Sequence, residues 1–170
     1  MDSVEIIGYS DDLKKYFKRL NYEWIEKFFA IEPNDEYVLS NPIKAIIEEG
    51  GSIFFAKLND EIVGTVALIK IDDSTAELAK MAVTEHYQNY GIGKQLMYAV
   101  MQQARKDDIA RLVLYSHTSL AAAIHLYTRF GFRSTRLDIH QTKRANIKME
   151  LLLKNWTENH KDESVMHDAK

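Results

Sequence analysis

The chain of 170 residues contains no cysteine. This absence excludes disulfides, thiolate ligands for a metal and a cysteine-bound acyl intermediate. No apolar run approaches the roughly 20 residues that a membrane-spanning helix needs, and residues 1–10 lack the basic and then apolar pattern of a signal peptide. We therefore predict a cytoplasmic protein without a membrane span.

The chain also has little excess charge, with 22 Lys and Arg against 25 Asp and Glu. This balance gives no electrostatic reason to expect nucleic acid or a membrane surface as a partner. The length, with 46% hydrophobic residues, suits one core rather than two domains. We predict a single domain in residues 1–153, followed by a polar tail in residues 154–170 that we expect to be frayed.

Apolar periodicity predicts an alternation of strands and helices. We predict that Asp11 caps the first helix, that Asn59 and Asp60 form a tight hairpin turn, and that a loop surrounds Pro33 and Asp35. This order indicates a mixed α/β, α+β-like fold with a sheet covered by helices. The predicted strands are residues 4–9, 52–58, 61–71, 76–84, 111–116, 132–137 and 147–153, and the predicted helices are residues 11–29, 42–50, 92–103 and 120–130.

A glycine-containing loop separates a predicted strand from a predicted helix. Unpaired N–H groups and the helix dipole favour an anion at such a position, and glycine allows the backbone to approach a phosphate closely. A nucleotide P-loop is excluded because Gln95 follows Lys94, and a dinucleotide fingerprint lacks its third glycine at Leu96. The loop residues are Gln88, Asn89, Tyr90, Gly91, Ile92, Gly93 and Lys94.

The spacing Gln88-x-x-Gly91-x-Gly93 resembles the pyrophosphate loop of the GNAT superfamily of N-acetyltransferases. The strand at 77–83, the pair at 126–127 and the pair at 131–132 follow in the order and spacing of that family. The resemblance covers about residues 62–132. It implies a GNAT-like central, mixed and splayed sheet of about six to seven strands flanked by helices, with acetyl-CoA as cosubstrate and no metal.

The resemblance also implies how coenzyme A would be held. The backbone of Met81, Ala82 and Val83 would pair with the pantetheine arm as an added strand. The amides of residues 89–94 would hold the pyrophosphate, with Gln88 bracing the loop and Lys94 adding positive charge. Where the family often carries an asparagine for the pantetheine arm, this chain has Leu120, and Thr118 or Ser119 is a candidate replacement.

Two residues match the positions of family catalytic groups. A lysine-type amine with a pKa of about 10.4 is protonated at neutral pH, so the reaction needs a base. Glu77 lies where family members carry a glutamate base, with a bridging water extending its reach; otherwise it is a solvated glutamate or a partner for Lys80. Tyr127 matches the tyrosine beside the thioester sulfur and is the predicted general acid; otherwise it is a core tyrosine.

The histidines have no metal-binding spacing, so no zinc site is expected. They are His86, His117, His125, His140, His160 and His167. His86 and His125 flank the predicted cofactor cleft and remain alternative bases. Four aromatic residues of the first helix keep helical spacing and are predicted core residues: Tyr22, Trp24, Phe28 and Phe29. Residues 33–37 are the candidate acceptor loop.

We therefore predict direct transfer of an acetyl group from acetyl-CoA to a primary amine in a ternary complex. A small molecule or a peptide carries the amine, and neither nucleic acid nor membrane is a partner. The alternatives are a non-catalytic module that binds and senses acyl-CoA, or an N-acyltransferase that uses another acyl-CoA. The fold does not choose the acceptor, and a homodimer is left open.

Overall fold

The computed structural model describes residues 3–138 and 142–157. Seven strands form one sheet in the order β1-β2-β3-β4-β5-β7-β6. All neighbouring strands are antiparallel except β4 and β5, which are parallel, so the predicted mixed sheet is confirmed. The strands are β1 (Glu5–Gly8), β2 (Ser52–Leu58), β3 (Glu61–Lys70), β4 (Thr75–Val83), β5 (Arg111–Ser116), β6 (Arg133–Thr135) and β7 (Ile147–Leu152).

In the described part of the chain, four α-helices cover the two faces of this sheet. They are α1 (Lys14–Phe28), α2 (Pro33–Ser40), α3 (Ile92–Lys106) and α4 (Ala121–Arg129). The predicted short helix after Pro42 is a π-helical turn, Ile43–Ile47. Within the described ranges, no helix is long and apolar enough to cross a membrane.

Apolar side chains pack into two cores, one on each face of the sheet. The α3/α4 core contains Leu96 and Met97 of α3, Phe130 at the end of α4 and Leu78 of β4. The α1/α2 core contains Phe17 and Leu20 of α1, Leu39 of α2, and Ile53 and Ala67 of the sheet. Both helical layers therefore bury apolar stripes against the sheet, as the alternating pattern requires.

The hairpin between β2 and β3 confirms its predicted turn. Asn59 and Asp60 have φ values of 50° and 65°. Both values lie in the left-handed region that a two-residue hairpin turn of the primed type needs. Asn and Asp tolerate this region better than most residues, which is why the pair indicates the turn from sequence.

Two local predictions near the N-terminus are wrong. Asp11 does not cap α1; it begins a 3-10 turn, Asp11–Leu13, that brings Leu13 into the core. The expected loop at Pro33 is instead the first turn of α2, so the candidate acceptor loop at 33–37 is helical. Proline suits the first position of a helix, and the Glu32 and Asp35 side chains form a capping box that satisfies the free N–H groups there.

The packed chain continues beyond the predicted domain end at residue 153. Trp156 is 1% exposed, and its ring lies 4.6 Å below the Arg105 guanidinium of α3. Arg105 also donates a 2.6 Å hydrogen bond to the Trp156 carbonyl. Burial of this large ring extends the fold past the start of the predicted tail; residues 158–170 of that tail lie outside the described residues.

Candidate active site

The sheet forks between β4 and β5. These strands pair only over their first three residues, and Glu77 and Val113 form the last pair. Beyond this pair, β4 continues alongside β3 while β5 continues alongside β7, so the two strands diverge. The resulting gap has the main chain of residues 78–83 on one side and that of residues 114–116 on the other. Strand edges of this kind accept an extended ligand through main-chain hydrogen bonds.

The two predicted catalytic residues lie on opposite faces of the sheet. Glu77 pairs directly with Ile69 of β3, which packs on the α1/α2 core, and directly paired residues share a face. Tyr127 of α4 instead belongs to the α3/α4 core together with Leu78. Glu77 therefore faces the α1/α2 side at the fork, whereas Tyr127 lies in the core on the other side of the sheet.

The glycine loop connects β4 to α3. Gly91 has a φ of 76° and directly precedes the first residue of α3. This left-handed conformation favours glycine. Gln88 Nε2 donates a 3.2 Å hydrogen bond to the carbonyl of Val83, the last residue of β4. The loop is thus tied to the strand at the gap, and the N-terminus of α3 begins beside it.

The second glycine of the loop has a packing role. Gly93 lies in the first turn of α3, and a Cβ atom added there would lie 3.2 Å from Leu126 Cδ2 of α4. This distance is tighter than ordinary van der Waals contact, so the lack of a side chain lets α3 and α4 approach closely. The glycine loop at the start of α3 and helix α4, which contains Tyr127, are thereby brought together.

Comparison with known proteins assigns the arrangement to a family. Residues 15–132 match the Acetyltransferase (GNAT) family. The chain belongs to this family. It is 32% identical over 114 residues to the uncharacterised N-acetyltransferase YvbK of Bacillus subtilis, a match that covers 63% of this chain and 74% of that protein. It spans only 53% of human N-acetyltransferase 8.

Solved GNAT structures share the fold. An acetyltransferase of the GNAT family from Staphylococcus aureus superposes with a TM-score of 0.82 and 25% identity, over 89% of this chain and 99% of that chain. The PaiA N-acetyltransferase of Thermoplasma acidophilum, solved in complex with coenzyme A, has the same fold at a TM-score of 0.71 and 19% identity, over 88% and 99% of the two chains. The predicted family, fold and N-acetyltransferase class are confirmed.

In this GNAT protein, Tyr127 is almost fully enclosed. The residue is 8% exposed, and the centroid of its ring lies 6.2 Å from that of the Phe132 ring. Burial raises the pKa of Tyr127 to about 12. The hydroxyl group therefore stays protonated at neutral pH and is suited to donating a hydrogen bond.

The strand that borders the gap contains a β-bulge at Lys80. Thr65 of β3 pairs with Ala82 and Ala67 pairs with Ala79, so two residues of β4 lie opposite one residue of β3. Lys80 has a φ of 54°. A left-handed conformation at a residue other than glycine costs about 1–3 kcal/mol, which the surrounding structure must offset.

A buried ion cluster adjoins this bulge on the α1/α2 face. Lys80 Nζ lies 3.1 Å from Asp35 Oδ1, and the two side chains are 8% and 0% exposed. Arg144 clasps Asp35 with two 2.7 Å hydrogen bonds and contacts Glu32 at 3.4 Å. Burial opposes the ionisation of Asp35, but hydrogen bonds from Arg144 and the charge of Lys80 outweigh it and lower the Asp35 pKa to about 2.

A rim of aromatic residues links the two sides of the fork on the same face. Trp24 Nε1 donates to Asn21 Oδ1 at 3.1 Å, and the Trp24 ring lies 6.3 Å from Phe29. Phe29 in turn contacts His117, which follows β5, with ring centroids 5.3 Å apart. The Arg144 guanidinium lies 5.5 Å from the Trp24 ring. The C-terminal half of α1, with Phe29 directly after it, therefore spans from β4 to the end of β5.

The loop where the family asparagine is replaced has partners of its own. Thr118 N donates to Asn146 Oδ1 at 2.9 Å, and Asn146 Nδ2 donates back to Thr118 Oγ1 at 3.0 Å. Ser119 N donates to His117 Nδ1 at 3.0 Å. Leu120 directly precedes α4. The role of Thr118 or Ser119 toward the pantetheine arm stays a prediction.

The described histidines His86 and His125 lie in separate surroundings. His86 makes an edge-to-face contact with Tyr87, with centroids 5.1 Å apart, and His125 is exposed on α4. His140, His160 and His167 lie outside the described residues. Among residues 3–138 and 142–157, no group of His, Asp and Glu side chains is arranged to hold a metal ion.

Sequence reasoning missed the ion cluster. Its members lie far apart in the chain: Asp35 is separated from Lys80 by 45 residues and from Arg144 by 109. No local motif marks such a group. The available signal was Lys80 itself, a cation with apolar neighbours on both sides, which needs a buried partner if it faces inward.

Proposed function

We propose that this GNAT protein transfers an acetyl group from acetyl-CoA to a primary amine by direct attack in a ternary complex. The observation that carries the proposal is the fork between β4 and β5, with Glu77 on one face and Tyr127 on the other. The cosubstrate would occupy the gap from the α3/α4 face and the amine would approach from the α1/α2 face. Two reactants held on opposite sides of one opening need no covalent enzyme intermediate.

The described residues fit coenzyme A. The edge of β4 at Met81, Ala82 and Val83 borders the gap, and the loop that ends at Gly91 leads into the N-terminus of α3, where backbone N–H groups favour a phosphate. The complex of the Thermoplasma protein with coenzyme A supports this assignment. When bound, acetyl-CoA supplies the activated thioester acyl group.

Glu77 is the proposed base. Its carboxylate lies on the face from which the amine would approach, at the last paired position before the strands diverge. A protonated amine cannot attack a thioester, so a carboxylate that accepts a proton, directly or through a water, raises the fraction of reactive amine.

Tyr127 is proposed as a hydrogen-bond donor to the leaving sulfur. The predicted role was that of a general acid, but its pKa of about 12 exceeds that of a thiol near 8.5 by about 3.5 units. Full proton transfer to the thiolate would therefore be uphill by about 5 kcal/mol. A retained proton still stabilises negative charge on sulfur through a hydrogen bond, which is the role that we assign.

The acceptor is proposed to be a small molecule or a peptide with a primary amine. On the α1/α2 face, the charges of Asp35, Glu32, Lys80 and Arg144 are paired with one another. Glu77 lies in the last pair before β4 and β5 diverge, where its carboxylate would meet the acceptor amine. The cytoplasmic location stays a prediction, and a homodimer stays an open alternative.

Thermal unfolding with and without excess acetyl-CoA tests the cosubstrate site. A ligand that binds only the native state raises the unfolding midpoint. We expect acetyl-CoA to stabilise the wild type but not Gly91→Glu, whose carboxylate would stand where the phosphates are proposed to bind. Gly8→Glu is the matched control, because a side chain at Gly8 meets no atom within 4 Å. Absence of stabilisation in the wild type would contradict the proposal.

Turnover separates an enzyme from a non-catalytic acyl-CoA-binding module. Release of free coenzyme A is followed with a panel of primary amines, and then with a panel of acyl-CoA donors. We expect amine-dependent release that the Glu77→Gln variant loses. Binding of acetyl-CoA without turnover of any amine, in both wild type and variant, would favour the sensing module.

A further inference from the structure

The bulge in β4 decides which residues face the proposed cofactor side. Leu78 and Met81 are three positions apart, yet both pack against the α3/α4 core. In an uninterrupted strand, residues three apart lie on opposite faces. The extra residue at the bulge therefore turns Met81, and Val83 two positions later, toward the α3/α4 core. Without the bulge, Lys80 would point toward this apolar core.

The local sequence does not itself favour the bulge. Its left-handed residue is a lysine with a φ of 54°, a region that glycine or asparagine adopts far more readily. Conformations of this kind persist where neighbouring structure holds them in place. The contacts around Lys80 therefore have to stabilise a backbone conformation that lysine by itself disfavours.

Contacts from two helices hold the bulge from the α1/α2 face. The Lys80 ammonium donates a 3.1 Å hydrogen bond to Asp35 of α2, and the Lys80 carbonyl accepts a 3.2 Å hydrogen bond from Asn21 Nδ2 of α1. Asn21 is 0% exposed and is itself fixed by a 3.0 Å hydrogen bond to the Phe17 carbonyl. Side chain and main chain of the same residue are thus both anchored.

We propose that Lys80 is a positioning residue: its ammonium bound to Asp35 and its carbonyl bound to Asn21 hold the β4 bulge, so that Met81 and Val83 present their backbone to acetyl-CoA. This inference rests on the proposed function. Contacts on the α1/α2 face would thus shape the edge of β4 that borders the proposed cofactor on the α3/α4 face. Lys80 does not touch the reacting atoms.

Three variants of Lys80 separate the effect of its backbone conformation from that of its charge. Lys80→Ala and Lys80→Gly both remove the ammonium, but glycine adopts a positive φ without strain whereas alanine does not. Lys80→Met keeps the length of the side chain and the backbone strain while removing the charge. Lys57→Met is the control, because Lys57 makes a surface ion pair with Asp60 at 3.6 Å.

The measurement is calorimetric titration of each folded variant with acetyl-CoA. Strain of about 1–3 kcal/mol corresponds to a weakening of roughly 5- to 150-fold in Kd, which is the range expected for Lys80→Ala and Lys80→Met. Lys80→Gly should bind within about threefold of the wild type, because its bulge forms without the ammonium. Lys57→Met should bind as the wild type does.

A purely structural ion pair would behave differently. Lys80→Ala and Lys80→Met would then unfold at lower temperature but bind acetyl-CoA as the wild type does, and that result overturns the inference. Lys80→Gly binding as weakly as Lys80→Ala would also overturn it. If the lysine variants do not fold, Asp35→Asn replaces them, with weaker binding expected and unchanged binding contradicting the inference.

Failure of the inference is distinguishable from failure of the proposed function. If the wild type itself does not bind acetyl-CoA, the proposed function fails. The bulge is then tested without ligand, by comparing the backbone amide resonances of residues 79–83 in wild type, Lys80→Ala and Lys80→Gly. Resonances that shift in the alanine variant but not in the glycine variant would support the inference that the Lys80 contacts hold the bulge. Resonances at their wild-type positions in both variants would overturn it.

Discussion

On its α3/α4 face, β4 is fixed by apolar packing and by a glycine loop, whereas on its α1/α2 face it is fixed by buried charges. The first face brings together elements close in sequence, with Val83, Gln88 and Gly91 within nine positions. The second face joins Asp35, Lys80 and Arg144, which are separated by up to 109 residues. The proposed cofactor side thus includes one locally encoded loop, and the proposed acceptor side depends on contacts between distant residues.

The largest effect is expected on the proposed acceptor side. Glu77→Gln replaces the proposed base with an amide that cannot accept the proton, so kcat should fall by about 10²–10⁴. The Kd for acetyl-CoA should not change, because Glu77 lies on the other face. Steady-state kinetics and titration measure both quantities. Glu5→Gln, on the exposed edge strand, is the control; a kcat within twofold of the wild type for Glu77→Gln would contradict the assignment.

Removal of the central charge tests how firmly the ion cluster holds its face. Asp35→Ala leaves Lys80 and Arg144 without their buried carboxylate, which should cost about 3–5 kcal/mol in unfolding free energy. Glu36→Ala on the same helix removes an exposed ion pair with Lys18, which should cost less than about 1 kcal/mol. Urea denaturation measures both. Equal losses of unfolding free energy for the two variants would show that the buried cluster stabilises the fold no more than a surface ion pair does.

The same carboxylate predicts a dependence of stability on pH. The pKa of Asp35 is about 2 in the folded protein and near 3.8 in the unfolded chain, so ionisation stabilises the fold above pH 4. As the pH falls from about 4 to about 2, roughly 2 kcal/mol of stability should be lost through this group. Asp35→Asn should lack that part of the slope. An identical pH profile in both proteins would contradict the prediction.

A smaller effect is expected on the cofactor side. Tyr127→Phe removes the hydrogen bond to the leaving sulfur but keeps the buried ring, so kcat should fall about tenfold, or about 1.4 kcal/mol, with the fold unchanged. Because a pKa of about 12 keeps the hydroxyl protonated, the wild type should show no loss of activity from this group below pH 10. Loss of all activity in the variant would instead favour a true general acid.

The smallest effect concerns the contact between α3 and α4. Gly93→Ala would place a Cβ atom 3.2 Å from Leu126 Cδ2. Overpacking of about 1–3 kcal/mol is partly offset by the better helix propensity of alanine, leaving a net cost of about 1 kcal/mol. In a double-mutant cycle, Gly93→Ala should lose less unfolding free energy when Leu126→Ala is also present, because the close contact is then removed. Additive costs would show that the two residues do not interact.

The comparison explains what the sequence could predict. The strands, α3 and the glycine loop follow from apolar periodicity and from short-range motifs, and Asn59-Asp60 correctly predicted its turn. Gly93 was assigned to phosphate approach, whereas the structure also shows that it packs against Leu126. Local rules suffice where the determining contacts lie within a few turns of chain.

Some errors are local, and others fall where contacts are distant. The predicted loop at Pro33 is a local error, since proline at the first helical position and the capping box of Glu32 and Asp35 favour a helix there. The bulge at Lys80 could not be predicted, since only folding brings Asp35 and Asn21 beside it. Trp156 falls in the predicted polar tail. Its burial depends on Arg105 of α3, a contact that the local sequence does not indicate.

Backbone amide NMR during titration with acetyl-CoA tests the central claim most directly. If the fork between β4 and β5 is the cofactor site, the resonances that shift should be those of residues 81–83, the loop at 88–94 and the start of α4, while those of β1 and β2 at the far edge of the sheet stay in place. Saturable binding with shifts confined to another surface, or no binding at all, would contradict the account.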